Sequence, residues 1–171
     1  MRLKYLFILA LGVVALSGCA AKVEEIVAFK EGDPAPKLDV DVLQGALAAP
    51  GEGVQIIEFW ATWCAPCKDS APFLSSLQER YGYLDVSVLG ISDEDETVVK
   101  PYLAEFGQDM AYTVALDPEG ATQKKYLEGY GVEGIPWAFL IDRDGSLAWV
   151  GHPMADELEE NLLELLDIPK E

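Results

Sequence analysis

The spacing of apolar residues changes several times along this chain, and each change marks an element. Tyr5 to Leu16 is an uninterrupted apolar run behind Arg2 and Lys4. At about a dozen residues it is too short to span a bilayer and has the length of a secretory h-region. Residues 19–31 mix charged and small residues without a period and read as a tether, so residues 1–18 form a leader and 32–171 the folded domain. Gly32-Asp33-Pro34-Ala35-Pro36 fixes an extended entry. Leu38, Val40 and Val42 alternate with Asp39, Asp41 and Leu43, which predicts an exposed first strand, and Gln44 to Gly53 a loop.

Val54 to Trp60 is apolar apart from Gln55 and Glu58, the pattern of a strand buried on both faces. From Cys64 to about Tyr81 the spacing of Phe73, Leu74 and Leu77 predicts a long helix, kinked by Pro72. Leu84 to Ile91 reads as a second buried strand, ended by the acidic turn Ser92 to Glu96. Val98, Tyr102, Leu103 and Phe106 have helical spacing, and Tyr112 to Leu116 predicts a short strand. Thr122 to Gly129 reads as a short helix with Tyr126 and Leu127 inward. Trp137 to Ile141 and Ser146 to Val150 form a hairpin through Asp142-Arg143-Asp144-Gly145, because Asp-Gly accepts the positive φ of a tight turn. Leu158, Leu162, Leu163, Leu165 and Leu166 close the chain with an amphipathic helix. Alternating strands and helices followed by a hairpin predict an α/β fold, a central mixed sheet with helices on both faces.

Half of the 171 residues are apolar, enough for one core of ordinary size. The formal charge is −18, and loss of Arg2 and Lys4 with the leader takes it to about −20. So acidic a surface repels phosphate and lipid headgroups, which excludes nucleic acid as a partner and requires any membrane link to be something other than a basic face. Three cysteines are present: Cys19 after Leu16-Ser17-Gly18, and the C-x-x-C pair Cys64 and Cys67.

A C-x-x-C pair at the start of a helix can close a small disulfide or open to a dithiol, and the unpaired N–H groups and positive dipole end beneath the first sulfur lower its pKa. A thiolate at Cys64 would attack a partner disulfide, and Cys67, one turn on, would resolve the mixed disulfide. On this reading Cys64 is exposed and Cys67 shielded. Structural zinc would need a second ligand pair, and only His152 and Cys19 remain, so no metal or cofactor beyond the redox disulfide is expected. Glu58 lies in an otherwise apolar strand. If buried, its carboxylate is costly to ionise and its pKa rises; at a strand edge it would instead reach solvent.

Glu58-Phe59-Trp60-Ala61-Thr62-Trp63-Cys64-Ala65-Pro66-Cys67 resembles the active-site segment of the thioredoxin superfamily. Pro72 stands where thioredoxins kink the active-site helix, and Gly131-Val132-Glu133-Gly134-Ile135-Pro136 resembles the segment with their cis-proline. Phe139-Leu140-Ile141-Asp142 with Asp144-Gly145, and the entry 32–36, are similar to the TlpA-type, membrane-tethered branch. The resemblance covers nearly all of the chain from Gly32 to Leu166. It implies a thiol-disulfide oxidoreductase with catalytic Cys64 and Cys67, and with Glu58, at the position of thioredoxin's buried aspartate, as proton acceptor for Cys67. It implies a docking surface of Trp63, Ala65, Pro66, Ile135 and Pro136, the cis bond turning the Ile135 backbone toward the cysteines. Trp60 reads as core, and His152 as either a groove residue or an ordinary exposed histidine.

TlpA-type relatives often carry a glutamate just past the second cysteine, where this chain has Asp69-Ser70, and Trp137 replaces the small or acidic residue common after the proline. Leu16-Ser17-Gly18-Cys19 resembles the lipobox of bacterial lipoproteins, implying cleavage before Cys19 and a lipid anchor at the cell envelope. The expected partners are disulfides of exported proteins, with cytochrome c maturation components as one candidate that nothing in the sequence selects, and a membrane electron donor for rereduction. Two alternatives stand beside this. A peroxiredoxin-like peroxidase would need Pro and Thr or Ser where Ile57 and Ala61 stand, and a non-catalytic binding module would have no need of both cysteines.

Overall fold

The computed structural model describes residues 30–49 and 51–169; the expected leader, Cys19 and nearly all of the expected tether lie outside the described residues. Six strands form one sheet: β1 (Asp41–Gln44), β2 (Val54–Phe59), β3 (Val86–Ser92), β4 (Thr113–Leu116), β5 (Trp137–Ile141) and β6 (Leu147–Gly151). Their spatial order is β1-β4-β3-β2-β5-β6. The core strands β2, β3 and β4 run parallel, while β1, β5 and β6 pair antiparallel at the flanks, giving the mixed sheet that the pattern predicts.

The helices are α1 (Ala65–Tyr81), α2 (Glu96–Phe106), α3 (Ala121–Gly129) and α4 (Asp156–Leu165). Side chains alternate across each strand, so the sheet has two apolar faces. Val54 and Ile56 of β2, with Val86 and Val88 of β3, pack with Leu74 and Leu77 of α1, Val99 of α2 and Leu158 and Leu162 of α4. Ile57, Phe59, Leu89 and Ile91 pack on the other face with Tyr126 and Leu127 of α3. On that second face Phe59, Tyr126 and Phe139 meet edge to face or tilted, with centroids 5.0 to 5.8 Å apart, geometries that suit the ring quadrupoles.

Helix α1 follows from its sequence. Cys67, Ser70, Ala71, Leu74 and Leu77 are its buried residues, a stripe at spacings of three and four. Pro72 sits inside the helix on its exposed side, where the lost N–H leaves the Lys68 carbonyl without its helical donor. The largest boundary differences from the pattern are at β1 and β3, the others being shifts of about one residue. Leu38 and Val40 do pack inward, but only Asp41–Gln44 pair, because the partner β4 is four residues long. Leu84 belongs to a 3₁₀ turn, Gly82–Leu84, closed by Asp85 at φ 61°, so β3 begins at Val86. No helix among the described residues is long and apolar enough to cross a membrane.

Candidate active site

Strand β2 is central, between β3 and β5, and its end delivers the chain to the head of α1. Trp60 and Ala61 are still buried; Thr62 and Trp63 turn outward; Cys64 then caps the helix. Cys64 has extended backbone, φ −81° and ψ 101°, and its sulfur accepts the Cys67 amide N–H at 3.2 Å. The turn is closed by the Cys64 N–H donating to the Ala61 carbonyl at 3.1 Å. Pro66 in the first turn forfeits an N–H that has no helical partner there, and no acidic residue lies in that turn to oppose a thiolate.

The sulfurs of Cys64 and Cys67 are bonded, with Cα atoms 5.3 Å apart. Cys64 is not exposed: both cysteines are 3 % accessible. In the disulfide state its sulfur folds back over the first helical turn toward Cys67, and the residue joins the apolar cluster of Trp60, Ala61 and Ala71. What reaches solvent is the rim, with Trp63 71 % accessible and Ala65 and Pro66 exposed. The Ile135–Pro136 peptide is cis; Pro136 is buried and Ile135 half-buried against both apolar clusters.

Glu58 is fully buried, which removes the strand-edge alternative. It lies on the α1 face of β2, opposite Gly90 of β3. The Ser70 hydroxyl is 2.7 Å from its Oε1 and the Tyr112 hydroxyl a longer 3.4 Å from Oε2. Burial pushes the carboxyl from its ordinary 4.5 up to about 8, against the two hydroxyl bonds that favour the anion. Burial first, then the Glu58 charge, raise Tyr112 well above the ordinary phenol value, so it stays a donor.

Ser70 and Tyr112 are the site residues that pattern reading missed. Of the pair Asp69-Ser70, Asp69 is exposed and Ser70 fully buried. Ser70 Oγ is also 3.0 Å from the Cys67 carbonyl. Its single proton serves one acceptor at a time. It faces Glu58 when the carboxylate is charged; when Glu58 is protonated and donates to Ser70, the proton turns to Cys67. The only sequence signal for Ser70 is its place in the buried stripe of α1, and for Tyr112 its place at the head of a short strand.

Trp60 is core, its ring tilted at 42° to that of Tyr102 with centroids 5.5 Å apart, and its indole N–H lacks a partner among the described residues. Trp137 opens β5 opposite Phe59. His152 is exposed just past β6, its Nδ1 accepting the Met154 N–H at 3.2 Å within its own turn. The described residues contain no cluster of three or more His, Cys, Asp or Glu side chains able to hold a metal ion.

Comparison with known proteins agrees with this geometry. The Redoxin family model matches residues 30–166. The thiol-disulfide oxidoreductase ResA of Bacillus cereus (strain ATCC 10987 / NRS 248) is 31% identical over 160 residues, covering 90% of this chain and 87% of that protein. ResA of Bacillus subtilis (strain 168) is 28% identical, covering 84% and 77%. The crystal structure of a thioredoxin-family thiol:disulfide interchange protein from Chlorobium tepidum TLS superposes with a TM-score of 0.63 at 27% identity, covering 81% of this chain and 99% of that one. With a C-x-x-C disulfide at the head of a helix that leaves the central strand, the chain belongs to the Redoxin family and, within the thioredoxin superfamily, to its ResA/TlpA-type thiol-disulfide oxidoreductases.

Proposed function

We propose that Cys64 and Cys67 carry dithiol-disulfide exchange in the reducing direction, on disulfides of exported proteins. In the reduced enzyme the Cys64 thiolate attacks one sulfur of the substrate disulfide; a Cys64–substrate bond forms, the substrate S–S bond breaks, and one substrate thiolate leaves. Cys67 gives up its proton and attacks the Cys64 sulfur. The Cys64–Cys67 bond forms, the mixed disulfide breaks, and the second substrate thiolate leaves to be protonated. Two electrons have passed from enzyme to substrate.

Glu58, through the ionised fraction it keeps near neutral pH, is the proton acceptor for Cys67 and holds that proton once the disulfide has closed. A carboxyl raised to about 8 matches the proton affinity of a thiol near 8.5, so transfer in either direction is close to balanced. Ser70, bonded to both Glu58 and the Cys67 carbonyl, ties the carboxyl to the helical turn of the resolving cysteine. Trp63, Ala65 and Pro66, with Ile135 and Pro136, form the docking rim for the substrate. The lipobox-like Leu16-Ser17-Gly18-Cys19 supports a lipid anchor at Cys19 on the outer side of the plasma membrane or in the periplasm, and the active-site resemblance supports rereduction by a membrane donor.

The observation that carries this reading is the Cys64–Cys67 disulfide capping α1 beside a buried carboxyl of raised proton affinity. Trapping tests it. Cys67→Ser is expected to accumulate a mixed disulfide with a protein substrate through Cys64, and Cys64→Ser none. Peroxide consumption without disulfide reduction would overturn the assignment, and absence of both activities would leave a binding module.

A further inference from the structure

The acidic run Asp93-Glu94-Asp95-Glu96 has the composition of a solvated turn, and three of its residues are exposed. Glu94 is not: it is half-buried and turned back toward the active-site loop. Its Oε2 accepts the Thr62 backbone N–H at 2.6 Å and the Ser92 hydroxyl at 3.2 Å, and its Oε1 accepts the Thr62 hydroxyl at 2.8 Å. The Glu94 N–H in turn donates to Ser92 Oγ at 3.2 Å, and Ser92 is fully buried at the end of β3. Both carboxylate oxygens are thus engaged by N–H and O–H donors. The fold makes the approach possible because β3 lies beside β2 and holds it up to Trp60, whose N–H donates to the Ile91 carbonyl at 3.0 Å. The loops leaving the two strands are therefore neighbours.

Thr62 sits between Ala61, whose carbonyl receives the Cys64 N–H, and the exposed Trp63. We infer that Glu94 is a positioning residue of the exchange site, its carboxylate clamping Thr62 and so holding the turn that presents Trp63 to a partner and Cys64 at the head of α1. The inference rests on the reading of Cys64 as the attacking sulfur. Charge-assisted bonds to both the N–H and the hydroxyl of one residue fix that residue's orientation, not only its place. The same charge is held on the residue two before the nucleophile, and a like charge in that neighbourhood disfavours the thiolate. The clamp therefore orders the loop while restraining Cys64 ionisation.

Glu94→Gln in the full chain separates these effects from plain stability, since it keeps the shape, removes the charge and replaces one acceptor by an NH2 that cannot accept. Two quantities are read: the midpoint pH of Cys64 alkylation by iodoacetamide in the reduced protein, and KM and kcat for insulin disulfide reduction. The midpoint is expected to move to lower pH, and KM to rise about tenfold with kcat changed less than about twofold, as loss of a charged hydrogen-bond acceptor predicts. Thr62→Val, which removes the hydroxyl and leaves the charge, is expected to raise KM without moving the midpoint. Asp93→Asn, on an exposed acid of the same turn, is expected to change neither. An unmoved midpoint with unchanged KM in Glu94→Gln overturns the inference, as does an equal shift in Asp93→Asn. If Glu94→Gln does not fold, Thr62→Val decides, an unchanged KM overturning the clamp. A wild-type chain that fails to reduce insulin counts against the exchange reaction itself; a wild-type chain that turns over beside an unaltered Glu94→Gln counts against the clamp alone.

Discussion

Replacing Glu58 by Gln in the oxidised protein perturbs one proton and little else, since the two side chains share a shape. The native state holds the Glu58 proton up to about pH 8, whereas an unfolded glutamate releases it near 4.5. Between those values the unfolded chain binds fewer protons, so stability falls as pH rises; the loss begins near 4.5 and is complete above about 8. The two pKa values differ by 3.5. At about 1.36 kcal/mol for each such unit, the loss comes to about 5 kcal/mol, undiminished by solvent because the group is fully buried. That is comparable to the whole stability of many domains. Glutamine has no proton to lose and escapes it. Glu58→Gln is expected to match wild type within about 1 kcal/mol at pH 5 and to exceed it by about 3–5 kcal/mol at pH 8.5. Urea unfolding without reductant, at steps from pH 5 to 9, measures this, and the difference between the two proteins cancels groups they share. Ser70→Ala removes a bond that favours the carboxylate, so it should carry the fall to still higher pH. Parallel pH profiles for wild type and Glu58→Gln would refute the buried, neutral carboxyl.

Two further substitutions separate docking from packing. Trp63 is 71 % accessible, so Trp63→Ala should change stability by no more than about 0.5 kcal/mol in thermal unfolding, yet raise KM for a protein disulfide with kcat nearly unchanged. Gly90 faces Glu58, and a Cβ there would come within 3.0 Å of Tyr112 Cε2 and 3.1 Å of Trp60 Nε1. Gly90→Ala is therefore expected to cost about 1–3 kcal/mol, read by denaturant unfolding, and a neutral result would contradict the close packing around the carboxyl.

What could be read from the chain follows from how local each signal is. Val54–Phe59 was legible because a strand buried on both faces is apolar at both parities, and the same pattern isolated Glu58 as its one acid. The stripe of α1 and the Asp-Gly hairpin are likewise set by neighbours a few residues apart. The partners of Glu58 were not: Ser70 and Tyr112 lie 12 and 54 residues away, and only the packing of α1 on the sheet and the pairing of β4 with β3, beside β2, bring them together. Glu94 shows the same limit, since the bonds that turn it inward from an acidic run span 32 residues. The sequence exposes Cys64 only through its role as nucleophile, whereas the closed disulfide draws its sulfur onto the helix. The extent of β1 depended on the length of its partner β4, which β1's own alternation does not carry.

The direction of electron flow is tested by the reduction potential of the Cys64–Cys67 couple, read as the ratio of alkylated dithiol to disulfide in glutathione buffers of graded poise. Ala65-Pro66 places no histidine or charged side chain between the cysteines, so the Cys64 thiolate has the helix N-terminus but no cation within the C-x-x-C turn to over-stabilise the reduced form. A reductant is expected to lie at about −200 mV or below, toward the value of about −270 mV for thioredoxin. A potential near about −120 mV, that of a strong oxidant, would contradict the reductase account.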